Sequence, residues 1–267
     1  MQYNVLSIAG FDGSAGAGIQ ADIKTFSALG CYATTALTAI PVQNTTGVKK
    51  IYDIPLLCIE EQIKAILDDI SIKAIKIGML FKHEIIESVA KLLNHYKAKN
   101  IVLDPVMVAK SGDRLLLPNA IAAMRTHLFP ITTVLTPNLL EASELLGRTV
   151  CKKEEMQRAA LDLITLGPQA VIVKGGHLEG DCDDCLCIGN EIHWLSSSRI
   201  DTNNTHGTGC TFSAAIAAYL ARGLPILDAV FQAKHYLTQA IQAGAPLRIG
   251  SGKGPLHHFY HLWKFLK

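Results

Sequence analysis

The chain of 267 residues is long enough to bury a large core, and its 49% hydrophobic content is typical of a globular protein. Its 25 lysine and arginine residues nearly balance its 23 aspartate and glutamate residues, so there is no strong field that would attract nucleic acid or a membrane surface. Seven cysteines at scattered spacings argue against a disulfide framework. Residues 1–8 lack a signal-peptide pattern and no apolar run is long enough to span a bilayer, so we expect a cytoplasmic protein.

Short apolar runs alternate with helical patterns, which predicts a mostly parallel sheet covered by helices. Strands are predicted at 4–9, 31–39, 74–77, 100–103, 132–135 and 169–173. Two hairpins are predicted at 42–52 and 183–194, with turns at 44–47 and 189–190. Helices are predicted from 18 to about 29 and over 59–70, 82–96, 208–222 and 226–243, and another begins at 138. No repeat or low-complexity linker interrupts the pattern, so residues 1–267 are expected to form a single domain.

The most informative stretch lies at residues 201–215, where two glycines, Gly207 and Gly209, precede an Ala-rich helical pattern. A tight turn there would gather unpaired N–H groups and the positive end of a helix dipole around one point, which suits a phosphate or a developing oxyanion. Cys210 lies beside this point, and the same field is expected to favour its thiolate. The pattern therefore indicates a phosphoryl-transfer site with a cysteine facing the reacting oxygen.

Plainer interpretations of the same stretch remain open. Gly-x-Gly before a helix can be only a tight turn, and a free cysteine is usually a small buried hydrophobe. A nucleophilic Cys210 paired with His206 is also conceivable, but nothing nearby in the sequence offers an acid to orient the histidine.

Polar residues follow three predicted strands directly: Asp104, Asn138 and Lys174. Ligands of open parallel sheets bind outside the carboxyl ends of the strands, so we expect an acid, an amide and a base at one rim. Asp104 is suited to magnesium, which prefers few protein oxygens together with phosphate and water. Lys174 would neutralise charge on a transferred phosphoryl group.

Asn138 and Glu141 have two compatible interpretations. As an N-cap residue and the third residue of a helix they make a capping-box-like start, which stabilises by about 1 kcal/mol. Glu141 could also hold magnesium-bound water near the phosphates of ATP.

The glycine-rich loop at residues 10–18 follows a strand and precedes a helix, but its spacing departs from the dinucleotide-binding pattern, and 31–40 offers no acid for a ribose. The alternative is a loop that lets main chain approach a small substrate. Gln43 offers an amide donor and acceptor that suit an aminopyrimidine, although a surface glutamine is the plainer interpretation. Met79 is either core filler or an apolar wall for a flat ring.

With these motifs in order, the chain resembles the hydroxymethylpyrimidine/phosphomethylpyrimidine kinases of thiamine biosynthesis, within the ribokinase-like superfamily. The resemblance runs from residue 5 to about residue 260. The segments that carry it are Ile8-Ala-Gly-Phe-Asp12, 16–25, Val42-Gln-Asn-Thr45, Lys76-Ile-Gly-Met79, Leu103-Asp-Pro-Val-Met107, Lys110-Ser-Gly-Asp113, Thr136-Pro-Asn138, Val173-Lys-Gly-Gly-His177, Asn204-Thr-His-Gly-Thr-Gly-Cys210 and Gly254-Pro-Leu-His-His-Phe259.

The resemblance implies an α/β fold, a ribokinase-like three-layer sandwich whose mostly parallel central sheet has helices on both faces. It implies two ATP-dependent phosphorylations, of 4-amino-5-hydroxymethyl-2-methylpyrimidine and then of its monophosphate, with Mg²⁺ and often in a homodimer. The pyrimidine pocket would comprise Gln43, Gly10, Asp22, Val42, Met79 and Val106. Catalysis would rest on Cys210, Gly207, Thr208 and Gly209. ATP would bind at Lys174, Asn138, Glu141 and Thr205, and the metal at Asp104 and Glu141.

Three positions depart from the family pattern: Ala15 replaces a glycine, Asn203 stands where lysine is common, and Pro41 interrupts a usually Val- or Ala-rich strand end. They bear on affinity more than on reaction type. Two other functions stay open. Pyridoxal kinase shares the fold and the phosphoryl chemistry, but ordinary members have aspartate at the position of Cys210. A pyrimidine-binding module without catalysis would be expected to lack some of Asp104, Glu141, Lys174 and Cys210.

Overall fold

Parallel strands organise the computed structural model, which describes residues 2–107, 118–176, 178 and 182–263. The strands are β1 (Asn4–Ala9), β2 (Tyr32–Leu37), β3 (Ala39–Asn44), β4 (Gly47–Asp53), β5 (Ala74–Ile77), β6 (Ile101–Leu103), β7 (Val134–Leu135), β8 (Ala170–Val173), β9 (Asp184–Ile188) and β10 (Glu191–Leu195). In this part of the chain, eight of them form one sheet in the order β10-β9-β8-β7-β6-β5-β1-β2. The six strands from β8 to β2 are parallel, and β9 and β10 add an antiparallel edge.

Helices cover both faces of this sheet. They are α1 (Gly18–Ala28), α2 (Leu56–Asp69), α3 (His83–His95), α4 (Pro118–Ala123), α5 (Leu139–Leu146), α6 (Lys153–Ile164), α7 (Thr208–Ala221) and α8 (Ile226–Gly244). A π-helical turn over Met124–Leu128 and a 3₁₀ turn over Phe129–Ile131 follow α4. Within the described ranges, no helix combines the length and the apolar character needed to cross a membrane.

The core consists of two apolar layers, one on each face of the sheet. Helices α2 to α6 pack on one face, and α1, α7 and α8 pack on the other. Strands such as β8, with every residue buried, are the continuous apolar runs expected where helices cover both faces. The predicted three-layer α/β arrangement is therefore confirmed.

The predicted strand at 31–39 is divided in two. β2 ends at Leu37, and β3 begins at Ala39 as part of a separate antiparallel arm with β4. Thr38 lies between them, where its N–H donates to Ala9 O at 3.0 Å and its hydroxyl donates to Met79 O at 2.6 Å. These bonds fix the point at which the chain leaves the main sheet, so that the β3–β4 arm begins beside the ends of β1 and β5.

Most predicted elements agree with the structure within a few residues, including the hairpin turns at 44–47 and 189–190. Helices α4 and α6 are absent from the prediction, although Met156, Ala159, Ala160 and Leu163 of α6 repeat at helical spacing and are buried. That residues 1–267 act as one domain stays a prediction.

Candidate active site

A cavity of about 330 Å³ lies beyond the carboxyl ends of the parallel strands, against the first turn of α7. Gly10 follows β1, Met79 lies two residues after β5, and Asp104 and Lys174 follow β6 and β8, and all four contribute to its wall. The cavity therefore occupies the place that an open parallel sheet offers to ligands.

The acid, amide and base predicted at one rim do meet there. Lys174 Nζ lies 2.9 Å from Asp104 Oδ1 and 3.9 Å from Glu141 Oε2. Asn138 and Lys174 pair through a parallel β-bridge, which extends the register of β7 and β8. Thr136 donates its hydroxyl to Asp104 Oδ1 at 3.1 Å and fixes that carboxylate. One lysine thus faces two buried carboxylates.

Glu141 belongs to a complete capping box at the start of α5. Its Oε2 accepts from the Asn138 N–H at 2.7 Å, and Asn138 Oδ1 accepts from the Glu141 N–H at 2.9 Å. Burial raises the pKa of Glu141 to about 7, against the lowering effect of Lys174 and with a further rise from Asp104. The capping-box interpretation of Asn138 and Glu141 is therefore confirmed. Lys174 does not fully offset the negative charge of the Asp104 and Glu141 carboxylates.

This donor set fits a magnesium ion that is shared with phosphate and water. Asp104 and Glu141 supply hard carboxylate oxygens at the rim, and Mg²⁺ usually takes only one or two of these from a protein. Among the described residues no cluster of three or more His, Cys, Asp or Glu side chains could hold a metal unaided.

The first turn of α7 closes the cavity with its N-terminal backbone. Gly207 is the N-cap residue with φ of 83°, a left-handed conformation, and a Cβ there would overlap Gly16 O. A Cβ on Gly209 would come within 3.4 Å of both Asp104 Oδ2 and Lys174 Nζ. The unpaired N–H groups of a helix start thus lie next to the rim lysine, as an anion-binding site requires.

Cys210 is half-buried in the wall of this cavity, and the expectation of a thiolate there is wrong. The pKa of the thiol is raised to about 11, chiefly because protein encloses it and also because the carboxylates of Asp22 and Asp104 lie near it. Lys76 and the N–H of Gly18 act in the opposite direction but do not outweigh burial. The free protein therefore holds a thiol at neutral pH.

Four of the residues predicted to bind the pyrimidine line the cavity together: Gly10, Gln43, Met79 and Val106. Met79 and Val106 belong to a small apolar cluster with Ala39, beside the β3–β4 arm. Gln43 reaches the cavity from β3, which places an amide beside an apolar wall.

Asp22 and Val42 do not line the cavity, which corrects their predicted contact with the pyrimidine. The Asp22 carboxylate is fully buried, 2.8 Å from Lys76 Nζ and 2.5 Å from Ser7 Oγ. It therefore sets charge beneath Cys210 rather than touching a ligand. Val42 is 45% exposed, because strand alternation turns it away from the side of Gln43.

The residues before α7 hold a pairing that the local sequence does not reveal. Thr205, His206, Gly207 and Thr208 line the cavity. His206 Nε2 lies 2.8 Å from Asp12 Oδ2, so the histidine does have an acid, 194 positions away. No hydrogen bond joins His206 to Cys210 in the described residues, which argues against a Cys–His nucleophile.

The far half of the cavity contains residues that sequence reasoning missed. Lys234 Nζ lies 2.7 Å from Asp184 Oδ2, and Leu237, Thr238 and Ile241 complete that wall on α8. The sequence could have indicated this wall, because Lys234 and Thr238 are polar residues four positions apart on the otherwise apolar face of α8. The motif at residues 110–113 and His177 lie outside the described residues.

Ala15, which departs from the family pattern, has φ of 59°. This left-handed conformation costs a non-glycine residue about 1 kcal/mol, and the loop keeps it through the bond from Ala15 N to Asp12 O at 2.8 Å.

Comparison with known proteins agrees with this geometry. The family model described as phosphomethylpyrimidine kinase matches residues 12–257. A protein of Rhizobium meliloti named hydroxymethylpyrimidine/phosphomethylpyrimidine kinase is 49% identical over 97% of this chain and 98% of its own length. The Escherichia coli protein of the same name is 45% identical, with the same two coverages.

Two solved structures have the same fold. Bacillus subtilis pyridoxal kinase, in an ADP complex, is similar with a TM-score of 0.90 and 40% identity over 97% of this chain and 98% of that chain. The phosphomethylpyrimidine kinase of Clostridium difficile is similar with a TM-score of 0.81 and 42% identity over 90% of this chain and 100% of that chain. The fold is therefore the ribokinase-like one that the motifs imply.

The raised pKa of Glu141 makes a prediction about stability and pH. Because the folded pKa of about 7 exceeds the ordinary value of 4.5, Glu141 stabilises the fold below pH 4.5 and loses this contribution as pH rises through 7. Glu141→Gln keeps an acceptor for Asn138 but cannot ionise. Relative to the parent, this variant should gain about 1–3 kcal/mol in free energy of unfolding between pH 5 and pH 8.

Urea denaturation of both proteins at the two pH values measures this difference. The control is Glu154→Gln on the exposed side of α6, which should show no such change. A parent-to-Gln difference that is the same at pH 5 and pH 8 would contradict the assigned burial of charge.

Proposed function

The chain belongs to the phosphomethylpyrimidine kinase family, and we propose that it transfers the γ-phosphoryl group of ATP to the hydroxyl of 4-amino-5-hydroxymethyl-2-methylpyrimidine. A second transfer to the monophosphate gives the diphosphate used in thiamine biosynthesis. One observation carries this proposal: the helix start at Gly207–Cys210 lies in one cavity with both Gln43 and Lys174. A pyrimidine recogniser, an anion hole and a phosphate-neutralising lysine are the parts that this reaction needs.

The pyrimidine is proposed to bind between Gln43, the main chain at Gly10, and the apolar side chains of Met79 and Val106. The Gln43 amide can donate to a ring nitrogen and accept from the exocyclic amine, as an aminopyrimidine edge requires. The pyrimidine ring would lie with its hydroxymethyl group towards Cys210. Asp22 would act from below this site through its ion pair with Lys76.

ATP is proposed to place its phosphates between the rim and the start of α7, with Lys174, Asn138, Glu141 and Thr205 around them. Mg²⁺, held by Asp104 and Glu141, would neutralise phosphate charge. The rest of the nucleotide would extend towards α8, where Leu237 and Ile241 offer an apolar surface to a flat base. Lys234, paired with Asp184, supplies positive charge nearby.

Cys210 is proposed to receive the hydrogen bond of the substrate hydroxyl and to aim its oxygen at the γ-phosphorus. As the new O–P bond forms and the bond to ADP breaks, charge spreads over the transferred group, and the N–H groups of Gly209 and Cys210 stabilise it. Since the thiol pKa is about 11, we expect orientation by Cys210 to contribute more than deprotonation. The hydroxyl proton would then pass to an oxygen of the transferred phosphoryl group and from there to solvent. Lys76 and Gly18 are the groups that favour the thiolate.

Two wider features are proposed. The chain would act as a single kinase domain. It would be cytoplasmic, since its seven cysteines are all free, as suits a reducing compartment.

A homodimer would pair through the β3–β4 arm, where Ile40, Val42 and Tyr52 are exposed. Light scattering of Tyr52→Lys against the parent protein would reveal that interface as a change from dimer to monomer.

Pyridoxal kinase activity is the second candidate, because pyridoxal kinases of Bacillus subtilis and Staphylococcus aureus are among the solved structures that this fold resembles. Both alcohols present a hydroxymethyl group on a flat nitrogen-containing ring. The cavity would accept either by the same contacts to Cys210 and the anion hole.

Product analysis decides between these substrates. With Mg·ATP and hydroxymethylpyrimidine, we expect the monophosphate to form first and the diphosphate after it, resolved by ion-exchange chromatography. On pyridoxal, kcat/KM should be at least about tenfold lower, a difference of about 1.4 kcal/mol in transition-state binding. Pyridoxal as the better substrate would contradict the proposed specificity, and binding of pyrimidine without ADP formation would contradict catalysis altogether.

Replacement of the thiol tests the proposed role of Cys210. Cys210→Ala should lower kcat about 100-fold, because the substrate hydroxyl loses its positioning partner. Cys210→Asp should keep measurable turnover, as the related kinases with aspartate at this position suggest. The matched control is Cys58→Ala, an exposed cysteine on α2, which should leave kcat unchanged. Near-normal turnover by Cys210→Ala would exclude the role.

A further inference from the structure

The carboxylate of Asp12 holds together the glycine-rich loop that precedes α1. Asp12 is fully buried. Its Oδ1 accepts from the N–H of Ser14 at 3.0 Å and from the Ser14 hydroxyl at 2.7 Å. Its Oδ2 accepts from the N–H of Gly16 at 3.0 Å and of Ala17 at 2.7 Å. One side chain thus fixes the course of the loop up to the first residue of α1.

The same oxygen connects this loop to the segment that leads into α7. His206 Nε2 lies 2.8 Å from Asp12 Oδ2, and the imidazole ring packs closely over Gly16. Burial opposes ionisation of Asp12, but the bonds from His206, Ser14 and Ala17, with a further contribution from Gln43, hold its pKa well below the usual range. An ionised carboxylate only accepts, so Nε2 carries the hydrogen in this pair.

A second contact joins the same two segments. Gly207 lies against Gly16 O, where a Cβ would overlap the carbonyl oxygen. The N–H of Gly18, the first residue of α1, is also one of the groups that lower the pKa of the Cys210 thiol. Two chain segments therefore meet twice, through Asp12 with His206 and through Gly16 with Gly207.

We propose that Asp12 and His206 are positioning residues for phosphoryl transfer. Their hydrogen bond holds the start of α1 against the start of α7, and so sets where Cys210 and the anion hole stand relative to the bound pyrimidine. This inference rests on the proposed kinase function. Neither residue takes part in proton transfer to the substrate; both act through the position of Cys210.

The two residues should have separable effects. His206 bonds to Asp12 but not to Gln43, so its loss should disturb the transfer step more than pyrimidine binding. Gln43 is also among the groups that lower the pKa of Asp12, so the two side chains lie near each other. Loss of Asp12 should therefore change both the transfer step and the affinity for the pyrimidine.

Steady-state kinetics of four variants test the proposal: His206→Met, His206→Gln, Asp12→Asn and the double variant His206→Met with Asp12→Asn. His206→Met removes the donor at similar size and should lower kcat about 10- to 100-fold, with KM for the pyrimidine within about 3-fold. His206→Gln can again donate and should recover kcat to within about 5-fold of the parent. Asp12→Asn should lower kcat and also raise KM. The double variant should lose less than the product of the two single losses, because both break one hydrogen bond.

The matched control is His261→Met, which removes a partly buried histidine bond to Ala28 O at the other end of α1 and should leave kcat unchanged. Thermal unfolding of the parent and of all five variants separates positioning from general destabilisation. The proposal is overturned if kcat of His206→Met stays within about 3-fold of the parent, if Gln recovers nothing, or if the control loses as much kcat at an equal change in Tm. If the parent phosphorylates pyridoxal instead, the same ratios are read on that substrate. If it phosphorylates neither alcohol, the proposed function fails and the positioning role fails with it.

Discussion

The site depends on the contact between two glycine turns that are almost two hundred residues apart. Gly207 must adopt a left-handed conformation and must lack a side chain, because Gly16 O occupies the place of a Cβ. That contact brings the loop after β1, which borders the proposed pyrimidine pocket, against the helix start that faces the rim lysine. Residues of both turns line the same cavity.

Charge in the site follows from what this packing encloses. Lys174 faces Asp104 and Glu141 at the rim, and Lys76 faces Asp22 beneath Cys210. Burial and neighbouring charges raise the pKa of Glu141 to about 7 and that of the Cys210 thiol to about 11. The phosphates of ATP and a metal ion would therefore bind in a site where the lysines are already paired with carboxylates. The positive and negative charges of these pairs do not fully cancel.

Residues that follow strands could be predicted from the sequence, because a parallel sheet brings its carboxyl ends together whatever the intervening loops do. Asp104, Asn138 and Lys174 met as expected for this reason. The partners of His206 and Asp22 could not be predicted, since Asp12 and Lys76 come from distant segments and only three-dimensional packing makes them neighbours. The thiolate expectation for Cys210 failed on the same ground: a helix start is visible in sequence, whereas burial is not. The turn at Thr38 could not be predicted either, because the hydrogen bonds that fix it go to Ala9 and Met79 in distant segments of the chain.

A crystal structure of the protein with hydroxymethylpyrimidine and a non-hydrolysable ATP analogue tests the central claim most directly. The γ-phosphate should accept hydrogen bonds from the backbone at Gly209 and Cys210, with the substrate hydroxyl between that phosphorus and Cys210 Sγ and the ring edge against Gln43. A γ-phosphate bound away from the start of α7, or a pyrimidine that leaves Gln43 and Cys210 untouched, would contradict the account.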